Sequence, residues 1–186
     1  RIGKVHMKSI TYNVPGAKVL GITDVYKDAL PALAAEYGIE KIYDSYKEML
    51  ADPEIDAVLV CSSTDTHADI SIEAAKAGKH IFCEKPVDLT PEKVLAVIDA
   101  VKKAGVKLQV GFNRRFDHNF SHIRELINEG KIGKLELVKI TSRDPEPPSA
   151  EYAAVSGGIF LDMTIHDFDM ACFIAGSEVE EVYVNA

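Results

Sequence analysis

Asp162, His166 and Asp169 stand four and three residues apart in "GGIFLDMTIHDFDMACFIAG" (residues 157–176), a stretch that is otherwise mostly apolar. The whole stretch reads as one helix. At helical pitch the three polar residues fall within about 60° of one another, while Leu161, Ile165, Phe168 and Cys172 form a separate apolar stripe. Burying carboxylates without partners costs several kcal/mol per ion, so these groups must face water, pair internally or line a site. A histidine flanked by two acids can accept a proton near neutral pH, and imidazole is the side chain suited to that task. Internal Asp–His pairing is the plain alternative. Metal binding is weaker, because no other ligand cluster accompanies the i, i+4 Asp/His pair.

A second set of chemically capable residues lies upstream, each just after an apolar, β-branched run. "KVLGITD" ends in Asp24, 21 residues beyond Gly3. A dinucleotide fold places at that distance a carboxylate that accepts hydrogen bonds from the adenosine ribose hydroxyls and repels a 2′-phosphate, favouring NAD over NADP. An aspartate after a strand also caps turns. "VCSSTDTHADI" sets Ser62 and Ser63 between a strand and a helix start, where backbone and small hydroxyls can line a cofactor or merely serve as loop and cap residues. "CEKPV" sets Lys85 after the next strand, held extended by Pro86. A lysine there could stabilise developing alkoxide charge, although a lone lysine before proline is commonly solvated. Arg1, Ile2 and Gly3 fit the last three positions of a G-x-G-x-x-G phosphate loop.

The elements that must position these residues alternate. Runs at 18–23, 56–61, 79–83 and 107–112 read as strands buried on both faces. The helical patterns between them each close on glycine, and Thr90-Pro91 marks a helix start. Repeated strand–helix–strand units imply a doubly wound parallel sheet of α/β class over residues 1–112, with its first strand absent. From 113 to 186 the rhythm changes: an amphipathic helix, a long alternating strand "KLELVKITSRD", a Pro-rich loop, the opening helix and a final strand "EVEEVYVNA". That order suggests part of an α+β domain with an open sheet. Both ends read as those of a fragment of a longer enzyme.

Composition narrows the classes. With 186 residues and 47% hydrophobic content, a sizeable core is expected. A net charge of −8 argues against nucleic acid and anionic membrane partners. Three widely spaced cysteines suit free buried thiols in a reducing compartment, and the cytoplasm is the default location.

The stretch "DAVLVCSSTDTHADISIEAAKAGKHIFCEKPV" resembles the glucose–fructose oxidoreductase/inositol dehydrogenase/rhizopine catabolism family of NAD(P)-dependent oxidoreductases. "GFNRRFD" and "GGIFLDMTIHDFDM" resemble its inositol dehydrogenase branch. The resemblance covers essentially the whole chain. It implies a Rossmann domain followed by a C-terminal α/β domain with a large open sheet, through which such proteins commonly assemble as homo-tetramers. It implies NAD as cofactor, no metal, and a polyol substrate, with oxidation of a cyclitol ring hydroxyl (myo-inositol first) to a ketone. Another sugar dehydrogenase and a catalytically idle sugar-binding or assembly subunit are the rivals. Carried over position by position, His166 is the catalytic base and Asp162 its partner. Lys85 touches substrate and nicotinamide ribose, and Glu84 of the same E-K-P motif joins the cofactor site. Asp24 is the ribose acid, and Arg1 and Ile2 end the phosphate loop. Arg115, Asp144 and Asp169 contact the polyol.

Overall fold

Parallel pairing organises the first of two compact units into which the chain divides, Arg1–Gly111 and Phe112–Ala186. The computed structural model describes residues 2–185, so Arg1 lies outside the described residues. In the first unit α1 (Ile2–Asn13) leads to β1 (Gly21–Ile22), which pairs in parallel with β2 (Lys41–Ile42). Between them runs α2 (Leu30–Tyr37), and α3 (Tyr46–Ala51) follows. A three-stranded sheet then forms in the order β3 (Ala57–Val60), β4 (His80–Cys83), β5 (Leu108–Val110), all parallel. The helices α4 (Thr64–Lys76) and α5 (Pro91–Ala104) make its crossovers. Gly38 and Gly105 end α2 and α5 at φ 64° and 68°, a left-handed conformation that glycine adopts without steric cost.

The strands are not buried on both faces as their apolar runs suggest. In β3, Val58 and Val60 are buried while Ala57 and Leu59 are exposed. Val58, Val60, Ile81 and Cys83 pack with Ala68, Ala74 and Ala75 of α4 and Val97 of α5, so the helices cover one face. On the other, α1 reaches Phe82 through an edge contact from His6. Thr90 occupies the cap position before α5 but sends its hydroxyl to Asp88 Oδ1 at 3.0 Å. Lys79 is buried and fastens the exit of α3, donating to the carbonyls of Asp52 and Ile55 at 2.8 Å each.

The second unit is helical where described. A 3-10 turn (Asn113–Phe116) precedes α6 (His118–Asn128), whose Asp117 cap accepts from the amides of Asn119 and Phe120. The Pro-rich stretch gives way to a short α7 (Ala150–Val155). The helix expected over 157–176 forms, with one departure: Phe160–Thr164 is a π-helical turn leading into α8 (Ile165–Ala175). Thr164 Oγ1 donates to the carbonyl of Ile159, five residues back, at 2.8 Å. Arg124 of α6 donates to the carbonyl of Ile174 at 2.9 Å and lies over the Phe173 ring, joining α6 to the end of α8. Among the described residues the two expected strands of this unit, 134–144 and 178–186 (its last residue lying outside the described ones), form no ladder. A strand is defined by its hydrogen-bonded neighbour, and alternation alone does not supply one.

Candidate active site

Because β3, β4 and β5 are parallel, their carboxyl ends share one edge, and that edge collects most of the first unit's candidate residues. Ser62 and Ser63 follow β3, and Glu84 and Lys85 follow β4. A Cβ on Gly3 would stand 3.6 Å from that of Cys61, so the first turn of α1 lies against the end of β3. That turn holds no acidic residue. A helix N-terminus in such a place favours an anionic group, and this fits a dinucleotide's phosphates.

Glu84 is anchored on three sides. Its amide donates to the Val60 carbonyl at 3.0 Å, and its Oε1 accepts from His6 Nε2 at 2.6 Å. Gly111, whose amide donates to Cys83 O at 2.8 Å, is its third neighbour: a Cβ there would meet Glu84 Oε2 at 2.9 Å. Lys85 is half-buried, and its peptide bond to Pro86 is cis. Thr66 Oγ1 donates to Ser63 O at 2.7 Å, which leaves the Ser62 hydroxyl to donate to Thr66 Oγ1 at 2.6 Å. Asp24 is exposed and its Oδ1 accepts from the Tyr26 amide at 2.9 Å, so the turn-capping role is realised with one carboxylate oxygen. Burial pushes the Cys61 thiol up to about 12 and that of Cys83 to about 11, which makes both poor nucleophiles.

In the second unit the three polar residues of the helix acquire different partners. Asp162 lies in the π turn and its Oδ1 accepts from the Tyr152 hydroxyl at 2.9 Å. Burial, and then the Asp162 carboxylate, raise the Tyr152 phenol above its ordinary value. His166, in the first turn of α8, meets the Phe112 ring edge-on at 6.5 Å. Asp169 is 7% exposed and gripped by a fork: Arg115 Nε donates to Oδ2 at 2.8 Å and Nη2 to Oδ1 at 2.6 Å. Arg115 also lies over Phe173 at 5.4 Å, and Asp169 raises its guanidinium above the usual value. Asp144 is exposed.

Several structural partners escaped the sequence reading. Arg114 pairs with Asp167, which also accepts from Ser142 Oγ at 2.6 Å. The adjacent arginines of "NRRFD" thus hold two aspartates roughly 160° apart around α8. His67 is buried with its ring nitrogens near two main-chain carbonyls, and His6 holds Glu84. The paired arginines and the alternating "HDFD" were the available signals for the first group; nothing in the sequence marked carbonyl partners for His67. Among the described residues no group of three or more His, Cys, Asp or Glu could hold a metal ion. No helix among them is long and apolar enough to cross a membrane.

A parallel α/β unit with a helix N-terminus and polar groups at its carboxyl edge defines a dinucleotide-binding protein of the Rossmann class. Residues 1–112 match the "Oxidoreductase family, NAD-binding Rossmann fold", and residues 120–186 match the "GFO/IDH/MocA C-terminal domain". The chain belongs to the Gfo/Idh/MocA oxidoreductase family. It is 51% identical over 185 residues to the myo-inositol 2-dehydrogenase of Thermotoga maritima, covering 100% of this chain and 55% of that protein. The scyllo-inositol 2-dehydrogenase (NAD(+)) of Bacillus subtilis is 43% identical, with 98% and 53% covered. A crystal structure of scyllo-inositol dehydrogenase from Lactobacillus casei with bound NAD(H) and scyllo-inositol superposes with a TM-score of 0.79 at 30% identity. That match covers 95% of this chain and 54% of the other. The chain spans about half the length of the curated relatives it matches.

Proposed function

We propose that the complete gene product is an NAD-dependent dehydrogenase that oxidises a cyclitol ring hydroxyl to a ketone, with myo-inositol as substrate and scyllo-inosose (2-keto-myo-inositol) as product. The observation that carries this reading is the carboxyl edge of the first unit, where Ser62, Ser63, Glu84 and Lys85 follow neighbouring parallel strands. Residues 1–112 are assigned to NAD and 113–186 to substrate and homo-oligomer contacts, as a tetramer. Three free thiols suit a cytoplasmic setting.

NAD, when bound, supplies the hydride acceptor. Asp24 retains lone pairs beyond its bond to Tyr26 and accepts from ribose hydroxyls, repelling a 2′-phosphate. Ile2 and Gly3, in the first turn of α1, are assigned with Arg1 to the end of the phosphate loop, and Ser62, Ser63 and Glu84 to the cofactor's lining. His166 removes the proton from the reacting hydroxyl as its carbon loses hydride. Asp162, held by Tyr152, orients the imidazole and stabilises the imidazolium. Lys85 donates to the oxygen as alkoxide character develops. Arg115, Asp144 and Asp169 position neighbouring hydroxyls, Asp169 doing so with its carboxylate already set by Arg115.

The test is NADH absorbance on the complete gene product with myo-inositol, scyllo-inositol and glucose. Turnover of myo-inositol is expected, and His166→Ala should lower kcat by about 10²–10⁴-fold while leaving NADH affinity unchanged. Unchanged turnover removes His166 from the mechanism. Preference for scyllo-inositol would move the substrate to the epimer named by two relatives. Tight NADH binding with no polyol turned over would establish an idle subunit.

A further inference from the structure

The backbone ladder joining β3 to β4 runs through Val60↔Cys83 and is continued by the bond from the Glu84 amide to the Val60 carbonyl. Beyond that point the two chains leave the sheet, yet the residues proposed to meet cofactor and substrate, Ser62 and Lys85, lie just there. His67, near the start of α4, stands where the next rung would be. The residue is 2% exposed. Nδ1 lies 2.8 Å from the carbonyl oxygen of Pro86, and Nε2 lies 3.1 Å from that of Ser62. A carbonyl can only accept, so each link forms when the nitrogen facing it carries hydrogen. A neutral ring donates to one of the two carbonyls at a time, and a hydrocarbon ring of similar volume would fill the space and donate to neither.

We infer that His67 is a positioning residue: one side chain spaces the two segments that carry Ser62 and Lys85, through Ser62's own carbonyl and through that of Pro86, the residue after Lys85. Neither link touches cofactor or substrate. The role given to Lys85 rests on the dehydrogenase reading; the spacing by His67 rests on geometry alone. The two arms of the ring can be tested separately, because an asparagine amide reproduces the donor at Nδ1 and a glutamine amide the donor at Nε2.

His67→Asn keeps the Pro86 link and His67→Gln keeps the Ser62 link. In the complete gene product His67→Asn should recover kcat close to wild type with a raised KM for NAD. His67→Gln should keep the KM for NAD and lose kcat by about 100-fold, the scale expected for a reacting group displaced by about 1 Å. The second readout needs neither substrate nor cofactor: the rate at which Lys85 is acetylated by trace acetic anhydride, read by mass spectrometry on protein shown folded by its melting transition. That rate should change in His67→Gln and match wild type in His67→Asn. A labelling split without polyol turnover in wild type would uphold the spacing role and sink only the dehydrogenase reading. Equal behaviour of the two variants in kcat, KM and labelling overturns the proposal. Should one variant fail to fold, the other decides: wild-type labelling in His67→Gln, or altered labelling in His67→Asn, overturns it.

Discussion

The carboxyl edge of the first unit and the α8 face of the second hold their polar groups by different means. At the edge, main-chain bonds do the placing: Glu84 and Gly111 extend the ladder, and His67 contacts two carbonyls. On α8, placement depends on charged side chains from another element, with Arg114 on Asp167 and Arg115 on Asp169. A backbone-set site is sensitive to added volume where chains approach closely. A fork-set site is sensitive to the loss of one charge, because the partner stays buried.

Removing the fork should have the largest effect. Arg115→Ala leaves the Asp169 carboxylate, 7% exposed, without its bidentate partner, and should destabilise the protein by about 2–3 kcal/mol in urea unfolding. Arg115→Lys should recover less than half of that, since an ammonium cannot reproduce the planar fork. Full recovery by lysine would show that charge, not geometry, holds Asp169.

The corresponding challenge at the edge is Gly111→Ala. The new Cβ would meet Glu84 Oε2 at 2.9 Å, and the bond to His6 restrains that carboxylate from moving aside. A loss of about 1 kcal/mol in melting experiments is expected, with weakened NADH binding. An unchanged protein would show that Glu84 shifts freely, and the contrast with α8 would fade.

The smallest effect concerns a side-chain-built corner within the first unit. Tyr43 donates to Asp52 Oδ2 at 2.6 Å, and burial, then Asp52, push its phenol up to about 12. The unfolded phenol titrates near 10, so the folded state holds this proton more tightly. Its contribution is complete below about pH 10 and disappears as pH rises from there through about 12. The wild-type advantage in melting temperature over Tyr43→Phe should therefore shrink across that window. A constant difference would exclude the hydroxyl–carboxylate bond as its source.

Elements whose signals are local were legible. The glycines after α2, α4 and α5 and the apolar runs of β3 to β5 announced the alternating units, because helix ends and buried strands are written in neighbouring residues. β2 is only Lys41–Ile42, too short to show a period, and α7 emerged from a stretch that its prolines marked as loop. The strand pattern of "KLELVKITSRD" carries no information on whether a neighbour is present to pair with it. At the site, residue types suggested Lys85, His166 and Asp169, but not that Arg115 grips Asp169 with both carboxylate oxygens. His67 carries no signal in the sequence, because its partners are peptide carbonyls, which every residue possesses.

The π turn at Phe160–Thr164 makes the helix bearing Asp162 and His166 a two-part spindle. A π turn closes over five residues where an α turn closes over four, so the extra residue is taken up inside the turn and the segments on either side keep their direction. Across it the residues no longer advance by about 100° each, and Asp162 stands in a wider loop of backbone than the i, i+4 partner of His166 would in a continuous α-helix. Loss of one residue there would close the turn to ordinary α-helix and shift the residues within it, Asp162 among them, while His166 and Asp169 stayed in place.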